Sequence, residues 1–156
     1  MQLEMLLILD YVSFNLSKKG KFMNDKNVTL PNNKQPAIRV AAYPKELNPG
    51  GCIFGGWIMS QVDVAGAITA YERAKGLTAT VGVKSFEFHE PVFVGDVISC
   101  YADIIRTGRT SITVKVVVYA ERNPINKKIV KVTEAELTYV ALDENRRPRK
   151  LPNIDD

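Results

Sequence analysis

The chain has 156 residues, of which 46% are hydrophobic and 24% are charged. That length fits one domain of ordinary size, and that composition excludes both an intrinsically disordered chain and a fibrous repeat. The net charge of +4 suits an anionic small-molecule ligand, but it falls short of the basic stripe typical of nucleic-acid-binding domains.

Cysteine and histidine are scarce. Cys52 and Cys100 form no CxxC pair, so the sequence indicates neither a disulfide framework nor a zinc site. His89 is the single histidine, which excludes metal clusters ligated by several histidines and leaves Ser-His or Cys-His catalysis dependent on one residue. We therefore expect any hydrolytic chemistry to use carboxylates, with no metal or other cofactor, and a reducing cytoplasm as the location.

The first 36 residues are predicted to be a flexible lead. The apolar run at 5–9 is too short to span a bilayer, and it lacks the positive leading region and cleavage site of a signal peptide. We predict a flexible segment over 1–36, one domain over 37–152 and a tail over 153–156. A later methionine, Met23, is a candidate for the first residue.

A short strand and a long helix are predicted next. Apolar residues alternate over 38–43, which is typical of a half-buried strand, and Pro44 ends the pattern. After a turn-rich loop, a helix is predicted over 57–74 with Gly76 as its C-terminal cap. Apolar residues occupy most faces of this helix, so we expect it to be buried on most sides. Asp63 and its polar neighbours make a membrane span too costly.

The rest of the chain is predicted to form four strands: 78–88, 96–106, 110–122 and 129–142. The breaks between them suit antiparallel, hairpin-like connections, and the first break has room for a wider one. One buried helix followed by a long antiparallel meander is an α+β arrangement whose sheet must curl around the helix to cover its apolar faces. We therefore predict the hotdog fold.

Asp63 is the first candidate for chemistry, because it lies midway along the predicted helix among apolar neighbours. A carboxylate in such a place is costly unless it is paired, coordinated or used. A catalytic or substrate-facing role is the favoured interpretation. A structural cap or an interface salt bridge is the alternative.

The loop before the helix supplies three further candidates. Asn48 precedes Pro49 in this loop, and an isolated asparagine there usually holds its own backbone, so a functional role depends on context. Gly55 and Gly56 would let a ligand approach the N–H groups at the positive end of the helix dipole. A carbonyl oxygen bound there would gain about 3 kcal/mol per well-placed donor as negative charge develops. Close packing of helix on sheet is the alternative reading of the glycines.

Basic residues suggest where phosphates would bind. Arg109 occupies a predicted tight turn with Thr110 and Ser111, a setting suited to a phosphate. A cluster near the C-terminus is a second candidate; its members are Arg146, Arg147, Arg149 and Lys150. Ordinary solvated surface charge is the alternative for both.

Several stretches in register resemble the YciA-type bacterial acyl-CoA thioesterases of the hotdog superfamily. They are NPGGCIFGGWIMSQVD at 48–63, AGA at 65–67, VKSFEF at 83–88, PVFVGD at 91–96 and GRTS at 108–111. The resemblance covers about 38–152. Cys52 departs from it, because many relatives carry aspartate there; packing under the loop is the favoured role for Cys52 over that of a nucleophile.

The resemblance implies hydrolysis of fatty acyl-CoA thioesters to free acid and CoA. It implies that Asp63 acts as general base or nucleophile and that Asn48 helps to hold water or the thioester. It further implies dimers joined edge to edge, with Asn48 of one subunit facing Asp63 of the other, often assembled as trimers of dimers. Expected contacts with CoA are Lys84, Ser85, Arg109, Thr110, Ser111, Arg149 and Lys150.

Two other classes of function compete with this one. A non-catalytic acyl-CoA sensor could use the same fold, but simple binding gains nothing from an expensive carboxylate near a thioester. A basic β-rich module that binds nucleic acid would carry interleaved aromatic and basic residues, and the aromatic content of 8% weakens that reading. We expect an acyl-CoA substrate and a homo-oligomer, with no nucleic acid and no membrane insertion.

Overall fold

The computed structural model describes residues 28–153. The predictions made for 1–27 and for 154–156 lie outside these residues. One long helix, five strands and a short 3-10 turn are found, in the order β1 Ile38–Ala41, the turn Pro44–Glu46, α1 Gly55–Ala74, β2 Thr78–Phe88, β3 Val97–Thr107, β4 Ser111–Arg122 and β5 Lys128–Ala141. The predicted helix and strands are thus confirmed, with ends that differ by at most two residues.

The five strands form one antiparallel sheet in the order β1-β3-β4-β5-β2. Strands β3, β4 and β5 are the predicted meander, but its extension to β2 is wrong. β2 pairs with β5 at one edge of the sheet, because the connection 89–96 is long enough to carry the chain past β5 and β4 to β3, which lies beside the other edge strand, β1. The other edge of β2 has no partner strand within residues 28–153.

The helix α1 packs against the strands of this sheet. Its buried side consists of small and β-branched residues: Ile58, Val62, Ala65, Gly66, Ala70 and Ala74. The facing side of β4 alternates in the same way, with Ile112, Val114, Val116 and Val118 fully buried. Each fully buried valine or isoleucine contributes roughly 1.5–3 kcal/mol, so this interface is the core of the domain.

The opposite side of α1 is exposed in the single chain, which contradicts the expectation that the helix is buried on most sides. Its apolar residues there are Val64, Ile68 and Tyr71, between 38% and 53% exposed. One five-stranded sheet can cover only one side of a helix. An apolar surface therefore remains on α1, beside the unpaired edge of β2.

Both ends of α1 differ slightly from prediction. The helix begins at Gly55 after the N-cap Phe54. At the other end Lys75, with φ of 49°, takes the left-handed conformation that was predicted for Gly76. The N–H of Gly76 then donates to the carbonyl of Tyr71 at 3.3 Å and closes the last turn. No helix within residues 28–153 is long and apolar enough to cross a membrane.

Candidate active site

Asp63 lies half-buried on α1, and hydroxyl groups hold one of its two carboxylate oxygens. The Oγ1 of Thr80 donates to Oδ1 at 2.7 Å. The hydroxyl of Tyr139 lies 3.3 Å from the same Oδ1 and 2.9 Å from the backbone carbonyl of Asp63. Oδ2 makes no hydrogen bond to any residue in 28–153. One oxygen is thus fixed while the other stays available to a substrate or a water molecule.

Register places these two hydroxyls together. Thr80 on β2 is paired directly with Tyr139 on β5, and directly opposed residues on neighbouring strands project from the same face of a sheet. The register shifts between Thr80 and Gly82, an irregularity of the kind that re-aims side chains next to active sites. Sequence analysis missed both residues, because they are 17 and 76 positions from Asp63 and no local pattern reports strand register.

Tyr139 reaches Asp63 through a gap in the helix surface. The side chain of Tyr139 is 0% exposed. A Cβ at Gly66 would lie 2.3 Å from the phenol oxygen, so only glycine fits at this point. Glycine within a helix costs about 1 kcal/mol relative to alanine. Burial, followed by the charge and hydrogen bond of Asp63, raises the pKa of Tyr139, so the phenol keeps its proton.

The structural alternatives for Asp63 were a cap and a salt bridge across an interface. A cap does not fit, because Asp63 lies midway along α1, and a salt bridge across an interface requires a second chain. In the part that the structure describes, no basic side chain forms a salt bridge with this carboxylate. Neutral hydroxyls stabilise the carboxylate without cancelling its charge. The group is therefore equipped to accept a proton or to attack a carbonyl carbon.

Asn48 holds its own loop, as an isolated asparagine before proline was expected to do. Its Oδ1 accepts from the N–H of Gly50 at 2.8 Å and of Cys52 at 3.2 Å. Its backbone N–H donates to the carbonyl of Cys52 at 2.7 Å. The Nδ2 group has no acceptor among residues 28–153. The two ends of the side-chain amide therefore have different roles. The oxygen stabilises the loop, and the NH₂ group is available to donate to a ligand.

Gly55 and Gly56 form the start of α1. The next two amides, of Trp57 and Ile58, donate to the carbonyl of Phe54 at 3.0 and 3.3 Å. The amides of Gly55 and Gly56 have no acceptor within the described range. A Cβ at Gly55 would lie 3.4 Å from the ring of Phe88, so close packing and an open anion site occur at the same place.

The predicted carboxylate and the predicted N–H donors do not meet within one chain. Asp63 follows Gly56 by seven residues on the same helix, which is about 10 Å along the helix axis at 1.5 Å per residue. One thioester group is too small to touch both.

The predicted phosphate-binding turn lies beside the C-terminal segment. Arg109 is exposed, and its carbonyl accepts from the N–H of Leu151 at 3.0 Å. This contact brings Arg109 and Lys150 to the same end of the molecule. The carbonyls of Thr110 and Ser111 accept from the backbone of Ala141 and Gly108 at 2.9 and 2.7 Å, which closes the turn.

The other residues expected to contact CoA have different surroundings. The guanidinium of Arg149 donates to three carbonyls, those of Leu142, Lys150 and Ala74, so it closes the C-terminal end of α1. Lys84 forms an exposed ion pair with Glu136 at 2.8 Å, a contact worth little, and Ser85 pairs with the same Glu136 across the strands. Contacts of all these residues with CoA stay predictions.

Comparison with known proteins identifies the family. A family model described as the thioesterase superfamily matches residues 50–125. The acyl-CoA thioester hydrolase YciA of Escherichia coli is 44% identical over 118 residues, which are 74% of this chain and 89% of that protein. The chain belongs to the YciA-type acyl-CoA thioester hydrolases.

Solved structures agree with this family and confirm the hotdog fold. A hexameric hotdog fold thioesterase of Campylobacter jejuni is 39% identical, with a TM-score of 0.75 over 78% of this chain and 93% of that one. An acyl-CoA hydrolase from Staphylococcus aureus, solved with butyryl coenzyme A and coenzyme A, is 28% identical, with a TM-score of 0.69 over 74% of this chain and 70% of that one.

The Staphylococcus aureus enzyme offers one further comparison of spacing. Two of its variants replace an asparagine and an aspartate by alanine, and these two residues are 15 positions apart in that protein. Asn48 and Asp63 have the same separation. The loop asparagine and helix aspartate of this YciA-type chain thus match the spacing of two residues chosen for substitution in a relative.

Proposed function

We propose that the protein hydrolyses acyl-CoA thioesters to a free acid and coenzyme A at a site formed between two copies of the chain. The observation that carries this proposal is the state of Asp63, whose Oδ1 is held by Thr80 and Tyr139 while Oδ2 is open. A carboxylate that is fixed, charged and accessible is what a general base or nucleophile requires. The non-catalytic sensor reading gives this arrangement no purpose.

The spacing along α1 supports a two-chain site. Gly56, Met59 and Asp63 are separated by three and four residues, so they share one side of the helix. Two antiparallel copies of α1 crossing near Met59 would place Gly56 of one copy opposite Asp63 of the other. The 10 Å gap within one chain disappears in this arrangement.

The free edge of β2 provides the contact between the two copies. Val81 and Val83 on this strand are 59% and 50% exposed, and an unpaired apolar edge strand favours pairing with another strand. β2 runs beside α1, since Thr80 bonds to Asp63 and Phe88 packs at Gly55. Pairing of two β2 strands would therefore bring the two helices together at the same level.

The reaction follows from these groups. The thioester carbonyl oxygen accepts hydrogen bonds from the amides of Gly55 and Gly56, which stabilise the developing negative charge. Asp63 of the other copy either takes a proton from water, which then attacks the carbonyl carbon, or attacks that carbon itself to form an anhydride that water hydrolyses. In both routes the carbon–sulfur bond breaks, and coenzyme A leaves as its thiol once protonated.

The remaining residues are assigned to binding. The NH₂ group of Asn48 donates to the attacking water or to the thioester. The acyl chain lies along the exposed apolar side of α1, and Arg109 and Lys150 receive the phosphates of CoA. The other predicted contacts, Lys84 and Ser85, lie on β2 at the proposed interface.

We further propose a hexamer built from three such dimers; the Campylobacter jejuni relative is hexameric. A dimer alone would complete the site, while the exposed apolar residues elsewhere on α1 remain available for contacts between dimers. A cytoplasmic location stays a prediction from cysteine usage.

The deciding experiment is the release of free thiol from a panel of acyl-CoAs of different chain length by the purified protein. We expect turnover by the wild type and its loss in Asp63→Asn. Absence of turnover on every chain length, with binding retained, would favour the acyl-CoA sensor instead.

A further inference from the structure

We infer that Tyr139 is a positioning residue for Asp63, and that Gly66 is required because it opens the path along which the phenol reaches the carboxylate. This inference rests on the proposed function, since it concerns the residue to which that function assigns the chemistry. It adds two residues for which neither sequence motifs nor the family comparison supplied a role.

Geometry gives the first argument. The Tyr139 hydroxyl is 2.9 Å from the backbone carbonyl of Asp63 and 3.3 Å from its Oδ1, so one phenol contacts both the main chain and the side chain of the same residue. A phenol carries a single proton to donate. It can donate this proton to the backbone carbonyl or to Oδ1 of Asp63. The hydroxyl thus links the carboxylate to the helix backbone from the buried side of α1.

The pair of Tyr139 and Gly66 gives the second argument. A fully buried phenol must find an acceptor, and a glycine in mid-helix weakens the helix, so both residues carry a cost that phenylalanine and alanine would avoid. The Asp63 carbonyl lies within α1 and is an ordinary intrahelical acceptor, which does not need a second donor. The feature that phenylalanine and alanine could not supply is the contact with the carboxylate.

The two hydroxyl donors to the Asp63 carboxylate differ in their exposure to water, and this difference gives the third argument. Thr80 lies on the edge strand β2 and is exposed in the single chain, whereas Tyr139 is fully buried within the chain itself. Tyr139 is shielded from water, and burial together with the Asp63 charge raises its pKa, so its hydroxyl stays protonated and can donate at neutral pH. Oδ1 therefore has a buried donor in addition to the exposed one, while Oδ2 remains open.

The test is steady-state kinetics of Tyr139→Phe and Gly66→Ala with an acyl-CoA that the wild type hydrolyses. Tyr139→Phe removes one oxygen and creates no clash. We expect kcat to fall about tenfold, less than the hundredfold or more assigned to the base itself, while KM stays within about twofold. Gly66→Ala should lower kcat similarly, because the new Cβ would displace the phenol.

Two comparisons separate positioning from general packing. Tyr119→Phe makes the same chemical change on the opposite face of the sheet, where Tyr119 packs against Tyr101, and it should leave kcat unchanged. The double variant combines Gly66→Ala with Tyr139→Phe. Adding Gly66→Ala to Tyr139→Phe should lower kcat by less than Gly66→Ala lowers it in the wild type, because the phenol oxygen nearest to the new Cβ is absent.

A folded Tyr139→Phe protein with wild-type kcat would overturn the inference, and so would an effect confined to KM. If Gly66→Ala does not fold, Tyr139→Phe decides the question alone. Different results would refute the proposed function, namely no turnover by the wild type or retained turnover by Asp63→Asn. An active wild type with an inactive Asp63→Asn and an unaffected Tyr139→Phe would refute only the role of Tyr139.

Discussion

The hydroxyl of Thr80 and the carboxylate of Asp63 lie 2.7 Å apart, although one residue belongs to the edge strand β2 and the other to the helix α1. This contact ties the candidate base to the strand that has a free edge. The position of the carboxylate thus depends on where the pairing of β2 with β5 places Thr80.

Removal of the Asp63 charge should abolish most activity. Asp63→Asn keeps the shape and the acceptor that Thr80 needs, but it cannot take a proton or attack a carbonyl, so kcat should fall at least about a hundredfold. Thiol release and a melting curve measure both effects. Asp103→Asn, on an exposed carboxylate of β3, is the matched control. Near-normal turnover by a folded Asp63→Asn protein would contradict the role of Asp63 as general base or nucleophile.

Two substitutions separate the two roles of Asn48. Asn48→Asp retains an oxygen for the N–H groups of Gly50 and Cys52 but loses the NH₂ donor, so the melting temperature should stay close to that of the wild type while kcat falls. Asn48→Ala loses both and should also destabilise the protein by about 1 kcal/mol. Equal activity of Asn48→Asp and wild type would leave the asparagine with a structural role only.

Mixing two inactive variants tests the two-chain site. When Asp63→Asn and Asn48→Asp proteins exchange subunits, each mixed dimer holds one site in which both residues are intact. Random exchange would restore up to about a quarter of the sites. Thiol release before and after exchange measures this recovery. Verified exchange without any recovery would place both residues in the same subunit's site.

A cysteine at Met59 should crosslink two copies. If antiparallel helices cross near Met59, the two sulfur atoms of Met59→Cys in a Cys52→Ser background come within bonding range. Mild oxidation followed by non-reducing electrophoresis should show a dimer band. Ile125→Cys, at a position 89% exposed, is the control and should crosslink little. The same weak crosslinking at both positions would contradict the crossing point.

Alkaline pH should destabilise the fold through Cys100. Burial raises the pKa of the Cys100 thiol to about 12, whereas an unfolded thiol ionises near pH 8.5. The stabilising contribution is therefore complete below about pH 8.5 and is lost as pH rises toward 12, by up to about 1.4 kcal/mol per pH unit. Urea midpoints at pH 8 and pH 10.5 measure the loss. It should be smaller in Cys100→Val and unchanged in Cys52→Ser.

Much of the fold could be predicted from the sequence, because the decisive patterns are local. Alternating apolar residues marked the strands, and the proline-free run after Gly56 marked the helix within two residues of its observed start. Asp63 was conspicuous because a carboxylate among apolar helix neighbours is unusual. The stretches quoted from the sequence resemble the family that the comparisons confirm.

Tertiary structure alone decided which segments meet. Apolar periodicity showed that α1 has apolar residues on most sides, but only the extent of one five-stranded sheet showed that Met59 and Tyr71 remain uncovered. The pairing of β2 with β5 and the contacts of Thr80 and Tyr139 with Asp63 were equally hidden. The physical reason is that periodicity records how a segment divides its own surface, whereas strand order and register are set by competition among distant segments for the same core.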